Sequence, residues 1–198
     1  TVYALAPGEY VLHEEQAPTE QGYVRAEDVT FIVEETGEVQ KVEMKDDHTK
    51  VSISKTDITT GEEIEGAKLQ ILDKDGKVVE EWVSGEEHLI EYLPTGEYVL
   101  HEEQAPTEQG YVRAEDVTFV VEETGEIQKV EMKDDYTKVS ISKTDITDGK
   151  EVQGAKLQIF DKDGKVVEEW TSGEEHLIEY LPTGEYTLHE EAAVDGYV

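Results

Sequence analysis

Lys55, Glu102 and Asp134 are charged residues placed where apolar ones are expected. Each follows two apolar residues at a spacing of two: Val51 and Ile53 before Lys55, Tyr98 and Leu100 before Glu102, Val130 and Met132 before Asp134. Residues two apart on a strand share a face, so parity predicts that all three point inward at strand ends. Isolated buried charges are costly and must be paired or neutralised. One outcome is a salt-bridged cluster, or strand ends that reach solvent. The other is chemistry. A Lys desolvated among apolar groups gives up its proton more readily and becomes a nucleophilic amine. A carboxylic acid held neutral in the same pocket offers a carbon to attack. A second carboxyl, Glu102, can shuttle protons and hydrogen-bond to the developing oxyanion. The product is an amide between Lys55 and Asp134 with loss of one water, and packing supplies the proximity. Asp135 lies beside Asp134 and Glu103 beside Glu102, so a bulge would shift either assignment by one.

The elements that would carry these residues read as strands. Apolar residues alternate over Lys50–Lys55, over Ala67–Leu72, over Tyr98–Glu102 and at Val117, Phe119 and Val121. Val78, Trp82, Leu89, Ile90 and Tyr92 mark others. Thr60-Gly61, Asp75-Gly76, Pro94-Thr95-Gly96 and Thr124-Gly125 supply turn chemistry between them. Short strands with closely spaced turns and no helical periodicity predict an all-β protein of antiparallel sandwiches.

The strands recur. EYVLHEEQAPTEQGYVRAEDVTF starts at Glu9 and Glu97, KVSISKTDIT at Lys50 and Lys138, and GAKLQI at Gly66 and Gly154, each offset by 88 residues. The period is domain-sized. The chain is expected to hold one complete repeat over 50–137, the C-terminal half of another over 1–49 and the N-terminal part of a third over 138–198. Asp134-Asp135-Tyr136-Thr137 joins two repeats without a Gly, Ser or Pro spacer, which predicts end-to-end stacking as a stiff rod. The flanking pieces carry incomplete sets: Lys143 and Glu190 in the last, Glu14 and Asp46 in the first. Completing one piece with the other between chains would set Glu9–Val24 and Glu185–Val198 in competition for one strand slot.

Composition narrows the function. The chain has 49 Asp and Glu against 17 Lys and Arg, a net charge of −32. It cannot neutralise phosphates, which excludes nucleic acid, and it is repelled by anionic membranes. No apolar run approaches the ~20 residues that span a bilayer. Without Cys there are no disulfides, thiolate metal sites or Cys nucleophiles.

The motifs resemble a known family. KVSISKTD (Lys50–Asp57), GAKLQILD (Gly66–Asp73), LPTGEY (Leu93–Tyr98), EEQAP (Glu102–Pro106) and Gly110-Tyr111 follow in the order found in the Cna B-type (SpaA-like) domains of Gram-positive surface adhesins and pilins. The resemblance spans the whole 88-residue unit. It implies a prealbumin-like, reverse-Ig-type sandwich, in many members closed by a spontaneous isopeptide bond. The Lys of a K-x-D setting in the first strand falls on Lys55. The Glu of Y-x-x-x-E-x-x-A-P falls on Glu102, and the last-strand acceptor on Asp134. The family acceptor is more often Asn, released as ammonia; Asp would release water. The last piece also departs from the pattern, with Ala193-Val194-Asp195-Gly196 replacing a segment two residues longer.

The resemblance implies a structural stalk or spacer of an extracellular, cell-wall-anchored adhesin or pilin-like protein. Its partners would be neighbouring repeats, with any host protein or glycan held by a tip domain outside this segment. No cofactor, metal or enzymatic activity is expected. The alternatives are a ligand-binding adhesin module recognising a host protein or glycan, and an acidic repeat that binds divalent cations. Three features read as decoys. Leu93-Pro94-Thr95-Gly96 lacks the spacer residue of a sortase signal and reads as a turn. Asp73–Gly76 and Asp145–Gly149 lack the ligand spacing of a calcium loop. His101 and His189 read as single solvent-facing strand residues, and acid runs such as Glu86-Glu87 as a solvated surface.

Overall fold

The computed structural model describes residues 5–192, 194 and 196. The chain forms two compact units. One takes the chain up to Glu103 together with Glu115–Lys133; the other takes Gln104–Ala114 and the chain from Asp134 onward.

The strands, in chain order, are β1 (Gly8–Leu12), β2 (Tyr23–Val24), β3 (Val29–Val33), β4 (Asp47–His48), β5 (Lys50–Asp57), β6 (Lys68–Leu72), β7 (Val78–Val83), β8 (His88–Glu91) and β9 (Gly96–Gln104). They continue with β10 (Tyr111–Val112), β11 (Val117–Val121), β12 (Ile127–Tyr136), β13 (Lys138–Ile141), β14 (Lys156–Phe160), β15 (Val166–Thr171), β16 (His176–Glu179) and β17 (Thr187–Ala192). Two short 3-10 turns, Thr19–Gln21 and Thr107–Gln109, are the only helical elements among the described residues. The protein is all-β with antiparallel sheets, as the alternation predicts.

In the first unit β1 pairs with β3 and β2 with β4. One sheet runs in the order β11-β9-β6-β7, and β5 lies between β12 and β8. The core between them is built from alternate residues: Val51 and Ile53 of β5, Leu69 and Ile71 of β6, Leu100 of β9, Val121 of β11 and Met132 of β12, each at most 1% exposed. Burying an aliphatic side chain of this size contributes about 1.5–3 kcal/mol, so these residues fix which face of each strand turns inward.

In the second unit β10 pairs with the end of β12, through Tyr111 opposite Tyr136 and Val112 opposite Asp135. β13 pairs with β16, and β14 lies between β15 and β17. Ala155, Leu157, Ile159 and Ile178 form its core.

The turns follow their sequences. Asp73 Oδ1 accepts from the amides of Asp75 and Lys77, both at 2.9 Å, and Gly76 takes φ +75°. Asp145 Oδ1 likewise accepts from the Thr147 amide at 2.6 Å. These carboxylates cap hairpins. Leu93-Pro94-Thr95 is the turn before β9, closed by the Tyr98 hydroxyl donating to Pro94 O at 3.0 Å.

Candidate functional site: a buried Lys–Glu pair and an inward-facing Asp

Lys55 lies near the end of β5, whose burial is unusually complete because Ser52 and Thr56 on its other face are covered as well. The loop after β5 folds back over this end. Asp57 Oδ1 accepts from the Thr59 and Thr60 amides at 2.7 and 2.9 Å, and Gly61 N donates to Asp57 O at 2.9 Å. Glu63 Oε2 then accepts from the Lys55 amide at 3.1 Å, and Ile64 N donates to Lys55 O at 2.8 Å. Asp57 and Glu63 therefore shape the lid over Lys55. The T-D-x-T-T-G turn chemistry was the available signal for Asp57; nothing local points to Glu63.

On β9, Tyr98, Leu100 and Glu102 are buried, while Glu103 is exposed. Lys55 Nζ lies 3.2 Å from Glu102 Oε1, with side-chain exposures of 1% and 0%. On β12, Met132, Asp134 and Tyr136 are buried and alternate with exposed Glu131, Lys133 and Asp135. Asp134 is fully buried. Asp135 turns outward and pairs with Lys138. On the outer face the Thr56 hydroxyl donates to Glu131 at 2.8 Å, tying β5 to β12 and holding the Glu131 carboxyl below the usual carboxylate range.

The other predicted residues sit in more open surroundings. Lys143 and Glu190 come together at 2.9 Å, but about a third of each side chain is exposed. Glu14 is half-buried and accepts from the Ala26 amide at 2.8 Å, and Asp46 is exposed, outside any strand. His101 is not alone on its face: its Nδ1 lies 2.7 Å from Asp116 Oδ1, an acid brought alongside by β11. His189 packs edge-on against Phe160. Among the described residues no cluster of three or more His, Cys, Asp or Glu could hold a metal ion. No helix among them is long and apolar enough to cross a membrane.

A Lys and a Glu, both buried, meet in the core of an antiparallel all-β fold. The SpaA prealbumin-like fold domain model matches residues 49–136 and again 137–198. The chain belongs to this family. Among solved structures, the Bacillus anthracis TIE protein is similar at 31% identity and a TM-score of 0.53, over 96% of this chain and 37% of its own. The chain thus spans well under half of that protein. A streptococcal ancillary pilin is similar at 20% identity and TM-score 0.42, over 98% of this chain and 69% of its own. BcpA, the major pilin subunit of Bacillus cereus, is similar at 12% identity and TM-score 0.41, over 73% and 88%. No curated protein matches the chain.

Proposed function

We propose that this chain is a structural stalk segment of a cell-surface adhesin or pilin-like protein, stabilised by an amide between Lys55 and Asp134. The tandem organisation supports the stalk reading: one complete repeat over 50–137, flanked by the back of one repeat over 1–49 and the front of another over 138–198. The observation that carries the crosslink is the burial of Lys55 and Glu102 at 3.2 Å from each other, with Asp134 on the inward face of the strand next to β5.

In the reaction, the neutral Lys55 amine attacks Cγ of a protonated Asp134. The new bond is Nζ–Cγ; the bond broken is Cγ to a carboxyl oxygen. Glu102 takes a proton from the amine and returns it to that oxygen, which leaves as water. The step turns over once within one molecule, so it is maturation and not enzymatic activity. The ring it closes would tie the first strand of the repeat to the last, and tension would then pass through a covalent bond. Loop-closure arithmetic for a ring of this size gives about 4–5 kcal/mol.

Intact mass under denaturing conditions tests this. A deficit of one water, mapped to a Lys55–Asp134 linked peptide and abolished by Asp134→Ala but not Asp135→Ala, is the expected result. The full unmodified mass would reduce the three residues to a buried ionic cluster.

A second reading, ligand binding, has one observation in its favour. Trp82 lies flat against His88, 4.4 Å between ring centroids, and with Glu65 and Glu86 lines an open hollow of about 440 Å³. Retention on a glycan or host-protein array, lost in Trp82→Ala, would support it.

A further inference from the structure

We propose that each repeat carries at its trailing end a socket for the leading turn of the repeat that follows, so that the partner fitted by this surface is another copy of the same repeat. The proposal does not depend on the crosslink.

The socket is the glycine that ends the 3-10 turn, together with the threonine at the repeat boundary. In the second unit, Thr137 N donates to Gly110 O at 2.9 Å, and Thr137 O accepts from Tyr180 N at 3.0 Å. The Thr137 hydroxyl donates to Leu181 O at 2.6 Å. One threonine therefore bonds backward to one repeat and twice forward to the next. The same three bonds recur in the first unit through Gly22, Thr49 and Tyr92-Leu93, at 2.9, 3.0 and 2.6 Å.

Each half is shaped for the other. Tyr180 and Tyr92 are the only non-glycine residues with positive φ among the described residues, at +58° and +61°. A bulky residue holds that conformation only where its surroundings over-determine it. Here the boundary threonine grips the backbone on both sides of the tyrosine, and two rings clamp its side chain. Tyr136 stacks on Tyr180 at 3.9 Å and Tyr111 meets it edge-on at 5.6 Å. In return, the socket leaves out a side chain where the turn passes. A Cβ on Gly110 would lie 2.2–2.5 Å from the Tyr180 backbone, and one on Gly22 as close to Tyr92. These are main-chain atoms that cannot swing aside.

The chemistry suits a like-charged partner. In a chain of net charge −32, two acidic repeats meet here through backbone hydrogen bonds and stacked aromatic rings, which mutual repulsion does not directly oppose. The acid beside each turn is engaged by the stacked ring: the Tyr136 hydroxyl lies 3.2 Å from Glu179, and His48 Nε2 lies 2.9 Å from Glu91. The ring at that place is Tyr in one joint and His in the other, so the fit rests on the glycine, the threonine and the left-handed tyrosine.

Amide hydrogen exchange on the full chain tests the socket. In Gly110→Ala, protection of the Tyr180 amide should fall about tenfold or more, as expected when a local contact opens without global unfolding. Protection of Tyr92 in the other joint should hold. Gly76→Ala is the control, because Gly76 has a similar φ of +75° but open space around it; it should leave Tyr180 unchanged. If Gly110→Ala does not fold, Thr137→Val removes the hydroxyl bond while keeping the branched shape, and should lower Tyr180 protection severalfold. Unchanged Tyr180 protection in both variants, or an equal loss in Gly76→Ala, would overturn the proposal.

Discussion

The sequence around Lys55 recurs around Lys143, and each Lys meets a Glu 47 residues further on. Yet the two pairs live in different media. Lys55 and Glu102 are 1% and 0% exposed; Lys143 and Glu190 are 33% and 28% exposed, though their separation is the shorter, 2.9 Å against 3.2 Å. What differs is cover. β5 has β12 on one side and β8 on the other, and β9 has β11 beyond it. Their copies β13 and β17 each have a single described neighbour. Strand β13 also stops at Ile141, short of Lys143, where β5 runs on to Asp57. Local sequence brings amine and carboxylate together; the last two strands of the repeat decide whether they meet in water or out of it. The burial of the pair is therefore a property of the completed sandwich.

The comparison can be broken most forcefully at Lys55. Lys55→Ala should remove the proposed crosslink, worth about 4–5 kcal/mol. At about 4–8 °C per kcal/mol for a domain of this size, calorimetry should show the melting temperature falling by tens of degrees. A fall no larger than that of Lys143→Ala would refute the contrast. Extending the chain after Val198 with a copy of Arg113–Thr137 should bury Lys143 as Lys55 is buried. The expected result is a second missing water in the intact mass, and a single one would mean that cover alone does not confer reactivity.

A smaller effect comes from pH. Burial raises the Tyr98 hydroxyl above its ordinary value near 10, with the negative charge of Asp73 adding to it. A raised value in the folded state means that the contribution is fully present below the unfolded value and is lost as pH climbs through the folded one. Stability measured by denaturant between pH 9 and 11 (values set by the ordinary tyrosine range, about 10) should decline, and Tyr98→Phe should flatten that decline. Smallest of all, Lys143→Ala should cost no more than about 1 kcal/mol, as for solvent-screened pairs; a larger loss by chemical denaturation would show the second pair to be less open than its exposure suggests.

Much of the fold was legible because strand periodicity is local. Alternation at Val51-Ile53-Lys55, Tyr98-Leu100-Glu102 and Val130-Met132-Asp134 needs no knowledge of partners, and those faces turn inward, every residue of them buried except the half-buried Val130. Adjacent apolar residues were less informative: in Leu89-Ile90 the first is 48% exposed and the second 8%. The sequence also gave no hint that Glu63 would reach back to the Lys55 amide, or that Tyr92, read as a strand marker, would sit beyond β8 in a left-handed conformation. Both depend on what packs against them from a distance. Gly110 stood in the motif as a bare position; its meaning lies in the backbone of Tyr180, 70 residues on.

The boundary threonines have a consequence for arrays of many repeats. A residue bonded to both neighbours adds a coupling term at every boundary, so total stability grows as a sum of repeat terms and nearest-neighbour terms, as on a one-dimensional lattice. Interior repeats then enjoy two couplings and terminal ones a single coupling. Disorder in such a lattice enters from its ends, and each repeat added between them moves that vulnerability further from the centre.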